Sequence, residues 1–137
     1  MPITLEGKGG VKLIAWHLPA RRGKPTLLYF TGQSGSVANR ARKIETIAAS
    51  GYGVFMLNYR RYGGSGGWPT ERNNIADAVS AYQYLQYELG VAPRNIGAYG
   101  ESLGTGVATR LALLRRVKAL VLEAPFTSVV DVGRQVW

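Results

Sequence analysis

The amino-acid sequence predicts an α/β fold, a mainly parallel sheet with helices on both faces. Two observations carry that expectation. Apolar runs of strand length alternate with segments whose apolar residues recur at helical spacing, three times over. The connections between them are short, which favours right-handed strand–helix–strand crossovers. The size agrees. At 137 residues the chain is one ordinary domain, 46% hydrophobic and 18% charged, which excludes a disordered or collagen-like polypeptide.

Val11 to His17 (VKLIAWH) is an apolar-rich strand. Thr26 to Phe30 (TLLYF), bounded by Pro25 and Gly32, has the signature of a buried strand. Val37, Ala41, Ile44, Ile47 and Ala48 then fall on one helical face, and Gly51 stands where a C-terminal cap glycine belongs. Gly53 to Tyr59 (GVFMLNY) is a second buried strand, followed by the glycine-rich loop YRRYGGSGGWP. Pro69-Thr70-Glu71 opens a helix carrying Ile75, Val79, Tyr82, Leu85 or Gln86, and Leu89. Gly90 closes it, with Pro93 just beyond. Asn95 to Tyr99 (NIGAY) is a short strand, Leu103, Val107, Leu111 and Leu114 mark a third helix, and Ala119 to Glu123 (ALVLE) is the last strand. There is no internal repeat and no low-complexity linker, so residues 1–137 read as a single domain with an abrupt end.

Several function classes are excluded at once. With no cysteine there is no disulfide scaffold, thiolate zinc site or cysteine nucleophile. With one histidine, His17, a mechanism needing two is excluded within the chain, and so are most histidine metal sites. No metal and no cofactor is expected. The longest apolar runs fall far short of the roughly 18–20 residues of a membrane helix. The start, Met1-Pro2-Ile3-Thr4-Leu5-Glu6, lacks the basic and then apolar blocks of a secretory signal. No membrane span is expected, and a cytoplasmic protein is. The net charge of +9 is uneven: residues 1–68 hold ten basic and two acidic side chains, residues 69–137 seven and six. The basic residues come in short clusters without a nucleic-acid motif. The charge reads as solvated surface, and no nucleic-acid partner is expected.

The sharpest chemical signal is Gly100-Glu101-Ser102-Leu103-Gly104. A G-x-S-x-G pentapeptide alone is weak among eighteen glycines, and Gly63-Gly64-Ser65-Gly66-Gly67 also matches. Context separates them. Ser102 stands directly between the strand NIGAY and the helix that follows, the setting of a nucleophile elbow, whereas Ser65 lies inside a loop. Gly100 and Gly104 would remove side chains that collide with the neighbouring strand and helix. The helix N-terminus would aim N–H groups at a developing oxyanion, with the Leu103 N–H as first donor. The bland alternative is a serine capping a helix after a tight turn. The loop Thr31-Gly32-Gln33-Ser34-Gly35-Ser36, after the strand TLLYF, would supply a second donor, the Gln33 N–H. The alternative there is an ordinary loop rich in small residues.

With those residues in hand, the chain resembles the first half of an α/β-hydrolase of the serine-aminopeptidase-like or esterase-like kind. FTGQSGS resembles the family's oxyanion loop, NYRRYGGSGGWPTE the loop after the fourth strand, GAYGESLG the elbow, and LVLEAPFTSV the sixth strand and its loop. The resemblance implies an eight-stranded sheet in the complete fold. Of this the chain would supply about six strands, truncated at its C-terminus. It also implies acyl transfer through Ser102, an acid after a later strand, and a histidine near the C-terminus. The sequence departs at Thr31, where the family usually has histidine, and at Arg61, where it commonly has glycine.

The base is the missing part. A serine hydroxyl is a poor nucleophile until a base takes its proton. His17 lies in an early strand and reads as structural. Glu123 and Asp131 are candidate acids without a histidine to orient, and Lys118 should lie at the opposite edge of the sheet. The expected function is therefore a serine hydrolase of carboxylester, thioester or peptide-type bonds, acting on a small-molecule or peptide acyl substrate and nearly inactive as this chain alone. A non-catalytic hydrolase-like fragment or interaction module is the alternative. A nucleotide-binding domain is disfavoured, because no G-x-G-x-x-G opens a helix. The strand ALVLE is expected to be an open edge, giving self-association.

Overall fold

The computed structural model describes residues 1–32, 37–58, 60, 70–123 and 129–133. In chain order the elements are β1 (Pro2–Glu6), β2 (Lys12–Leu18), β3 (Thr26–Phe30), α1 (Val37–Ala49), β4 (Gly53–Leu57), α2 (Glu71–Gln83), β5 (Ile96–Glu101), α3 (Gly104–Leu114), β6 (Leu120–Glu123) and β7 (Val129–Gly133). One sheet takes them in the order β1-β2-β4-β3-β5-β6-β7, seven strands against the six or so expected. Its centre, β4-β3-β5-β6, is parallel. Both flanks are antiparallel, with β1 on β2 and β2 on β4 at one side, and β7 on β6 at the other.

The alternation of side chains in β3 shows how the sheet makes two cores. Leu28 and Phe30 point to one face, where α2 and α3 bury Ala78, Ala81, Tyr82, Val107, Ala108 and Leu111 against them. Tyr29 points to the other, where it joins Tyr99, Val54 and the α1 residues Ile44 and Ile47. Helices thus cover both faces. Phe30, Phe55, Leu28 and Leu57 are fully buried, each worth roughly 1.5–3 kcal/mol.

The helix ends follow their local chemistry. Thr70 caps α2, its hydroxyl accepting from the Asn73 N–H at 3.1 Å. The helix continues past Gln83 with a widened turn over Tyr84–Glu88, in which the Leu89 N–H reaches the Tyr84 carbonyl. The turn brings Leu85, not Gln86, into the core. Gly51 and Gly90 take positive φ after α1 and α2, at +91° and +70°.

The expected open edge at ALVLE is corrected. Strand β7 lies antiparallel on β6, with Glu123 opposite Val129 and Leu122 opposite Val130. The edge groups of β6 are therefore taken up within the chain. The run Val129-Val130-Asp131-Val132 is rich in β-branched residues, which favour extended backbone.

The order of the central strands positions the site. From β3 the chain crosses through α1 to β4 on one side, and returns through α2 to β5 on the other. The connections that leave the carboxyl ends of β3 and β5 therefore part to opposite faces, one to α1 and the other to α3. In open α/β sheets the crevice at such a reversal is where ligands bind.

Candidate active site

Ser102 stands between the end of β5 and the start of α3 with φ at 54°, in the left-handed region. It is the sole non-glycine residue with positive φ among the described residues. That conformation costs roughly 1–2 kcal/mol for a residue with a Cβ. Neighbours hold it on both sides. The Ser102 N–H donates to the Glu123 carbonyl of β6 at 2.9 Å, and the Ser102 carbonyl accepts from the Thr105 N–H at 3.0 Å and from the Thr105 hydroxyl at 2.7 Å.

Three glycines make room for this turn. A Cβ on Gly100 would lie 2.7 Å from Thr105 Cα and 2.9 Å from Ala108 Cβ of α3. One on Gly104 would lie 2.7 Å from the Phe30 carbonyl carbon of β3. One on Gly32 would lie 2.7 Å from Ser102 Cβ and 3.3 Å from Ser102 Oγ. The loop after β3 therefore runs directly against the serine. The Leu103 N–H, at the head of α3, meets no acceptor among the described residues, and its side chain is exposed. Gln33, the expected second donor, lies outside the described residues, as do Arg61 and Ser65.

Beneath the turn lies a polar cluster that sequence reasoning missed. Glu101, the residue before the serine, is 6% exposed. Its Oε1 accepts from Arg40 Nη2 at 2.8 Å and from the Gly32 N–H at 3.3 Å. Its Oε2 accepts from the Tyr29 hydroxyl at 2.5 Å and from Lys43 Nζ at 2.9 Å. Lys43 also donates to Glu123, which accepts from the Tyr99 hydroxyl as well. Burial would raise the Glu101 pKa, but the donors Arg40, Tyr29, Lys43 and the Gly32 N–H outweigh it and hold it at about 2. Burial and the neighbouring carboxylates push the Tyr29 and Tyr99 hydroxyls up, so both stay protonated as donors. Two cations face two carboxylates, and the cluster is balanced in charge.

A second buried ion pair supports the rim. Arg60, just after β4, donates through Nε and Nη2 to the two oxygens of Asp77 on α2, at 2.8 and 2.9 Å, and through Nη2 to the Lys8 carbonyl at 3.0 Å. It ties the β1–β2 hairpin, the root of the glycine-rich loop and α2 together.

Of the remaining candidates, Glu123 borders Ser102 through its backbone, whereas His17 and Lys118 lie away from it. His17 pairs opposite Phe55, three strands and four residues away from the serine, roughly 19 Å by strand spacing and rise. Burial, and then the nearby N-terminal ammonium, lowers its pKa. Its ring leans on Phe55 with centroids 5.7 Å apart. Lys118 sits at the far edge, its N–H on the Ile96 carbonyl at the start of β5. Glu123 is engaged by Lys43 and Tyr99. Among the described residues no side chain hydrogen-bonds Ser102 Oγ, and no group of three His, Asp or Glu could hold a metal ion. No helix among them is long and apolar enough to cross a membrane.

A serine with positive φ between a central parallel strand and a helix, flanked by glycines and with Gly32 of the β3 loop against it, is the local geometry that the resemblance to the α/β-hydrolases implies. The family model of the alpha/beta hydrolase fold matches residues 25–136, and the chain belongs to that family. An uncharacterised protein of Mycobacterium tuberculosis is 38% identical over 133 residues, covering 96% of this chain and 47% of its own length. The lysophosphatidylserine lipase ABHD12 of Danio rerio is 37% identical over 153 residues, covering 91% of this chain and 39% of its own. Among solved structures, an alpha-beta hydrolase from Vibrio vulnificus superposes with a TM-score of 0.72 at 27% identity, covering 88% of this chain and 43% of that one. The chain thus spans less than half the length of these relatives.

Proposed function

We propose that this chain carries the nucleophile half of a serine hydrolase that cleaves carboxylic esters through Ser102. In this reading Ser102 Oγ attacks the acyl carbonyl and its proton passes to a base. The oxyanion is held by the N–H groups of Leu103 and Gln33, the base returns the proton to the departing alcohol, and water then displaces Ser102 from the acyl-enzyme to release the acid. The observation that carries the reading is the φ of 54° at Ser102 at a strand-to-helix junction. A capping serine has no need of it, because a helix N-cap adopts extended backbone as Thr70 does here, with φ −106° and ψ 162°. The lipase named among the relatives favours an ester over a thioester or a peptide bond.

The protein expressed with the whole of its reading frame should be labelled by a fluorophosphonate probe at Ser102, and Ser102→Ala should abolish labelling. Labelling that persists in the alanine variant, or that maps to Ser65, would refute the assignment. Residues 1–137 alone should hydrolyse p-nitrophenyl esters barely above background. A nucleophile without its base retains only the small catalysis of the oxyanion hole and of binding. Ordinary esterase rates that vanish on His17→Ala would refute the structural reading of His17.

A further inference from the structure

We propose that Glu101 and Arg40 are positioning residues for the oxyanion hole, a bracket that sets the loop after β3 against the nucleophile. The proposal rests on the reading of Ser102 as nucleophile. Its geometry is a closed triangle. Glu101 Oε1 accepts from the Gly32 N–H, Arg40 Nη2 donates to that same oxygen, and the same Nη2 donates to the Gly32 carbonyl at 3.0 Å. Both polar groups of Gly32 are thereby fixed, one from the residue next to the serine and one from α1. Gly32 immediately precedes Gln33, whose N–H is the donor proposed above, so the bracket holds the residue from which that donor continues.

Two further observations make the bracket more than a packing contact. Gly32 lies directly against the nucleophile, with a would-be Cβ 2.7 Å from that of Ser102. A shift of Gly32 would therefore change what lies against Ser102 Oγ, 3.3 Å from that would-be Cβ. The bracket also carries a charge problem and its solution. A buried carboxylate beside the serine would oppose a developing oxyanion, but Arg40 and Lys43 face Glu101 and Glu123 at 2.5–2.9 Å. The cluster presents fixed dipoles to the site without a net negative charge. Arginine suits the bridging position because Nη2 carries two N–H donors in the fixed plane of the guanidinium, one for each acceptor, whereas a lysine ammonium is a point charge.

The test uses the protein expressed with the whole of its reading frame, a p-nitrophenyl ester and a fluorophosphonate. Loss of one oxyanion donor costs about 10²–10³ in kcat, and a misaimed donor should cost less. Glu101→Gln and Arg40→Lys should each lower kcat by about tenfold or more with KM within about threefold. Each should slow inactivation by the fluorophosphonate to the same degree, while Ser102 remains the labelled residue. Arg40→Lys keeps the charge and serves if Glu101→Gln does not fold. Wild-type kcat and inactivation rates in a folded variant, even with a lowered melting temperature, would show that the bracket only stabilises the fold. A changed KM at constant kcat would overturn the proposal too. Labelling that survives Ser102→Ala would instead refute the reading of Ser102, and the proposal with it.

Discussion

Ser102 adopts a backbone conformation that glycine adopts freely and serine does not. The surrounding bonds impose it: its N–H is tied to β6 and its carbonyl to the first turn of α3. Strain of this kind persists only where the fold over-determines it, and it clusters at sites of chemistry. Removing the Cβ should relieve it. Ser102→Gly should raise the unfolding free energy by roughly 0.5–1 kcal/mol, since the left-handed penalty disappears while the flexibility of glycine in the unfolded chain takes back part of the gain. Ser102→Ala should not, because alanine keeps the Cβ. Urea unfolding of the three proteins measures both. A glycine variant less stable than wild type would mean that the turn is unstrained, and the structural argument for a nucleophile would lose its main support.

At the scale of elements, the carboxylate of Glu101 joins β5 to α1 through Arg40 and Lys43, to β3 through Tyr29, and to the β3 loop through Gly32. Its pKa in the folded state is about 2, held below the ordinary carboxylate value of 4.5. A depressed folded pKa contributes stability above the unfolded value and loses it as pH falls. The window therefore runs from about pH 4.5 down to about pH 2, and the contribution is on the order of 3 kcal/mol. Wild type should lose stability between pH 5 and pH 3 more steeply than Glu101→Gln, whose amide does not titrate. Parallel slopes for the two proteins would show that α1 is not docked through this carboxylate. These partners also show where sequence reasoning reaches its limit. The alternation of strands and helices, the cap at Thr70 and the glycines at 51 and 90 are local signals, and each is legible because its cause lies within a few residues. The partners of Glu101 are 58 to 72 residues away along the chain, and only the fold brings them together. One signal was available. A glutamate ending a strand of otherwise buried residues, IGAYGE, must find cations, and Arg40 and Lys43 share a helical face one turn apart. Strand β1 leaves little trace in the sequence, because Pro2, Thr4 and Glu6 leave only Ile3 and Leu5 to face inward.

At the scale of the whole molecule, β7 forms one edge of the sheet made by the described residues. Strand β6, with Leu120, Val121 and Leu122, carries no proline and no charge before Glu123 to blunt a bare edge. In the structure its hydrogen-bonding groups are taken by β7, and the outer position passes to a strand with Asp131 at its centre. A charged residue on an edge strand opposes pairing with another chain, and the net charge of +9 opposes association of any kind while salt is low. Residues 1–137 should therefore sediment mainly as a monomer at about 50 mM salt, where charges repel over more than the roughly 10 Å they reach at 0.1 M. Ending the chain after Glu123 removes β7 and leaves β6 as the edge. The shortened protein should associate, and more strongly as salt rises and screens the repulsion. Its unfolding should be followed in parallel by circular dichroism, so that association of a folded sheet is told apart from aggregation of an unfolded one. Equal, salt-independent sedimentation of the two proteins would mean that β7 does not guard the edge. Strong association of residues 1–137 themselves would point to the β1 side of the sheet, or to the outer edge of β7, as the surface through which copies meet.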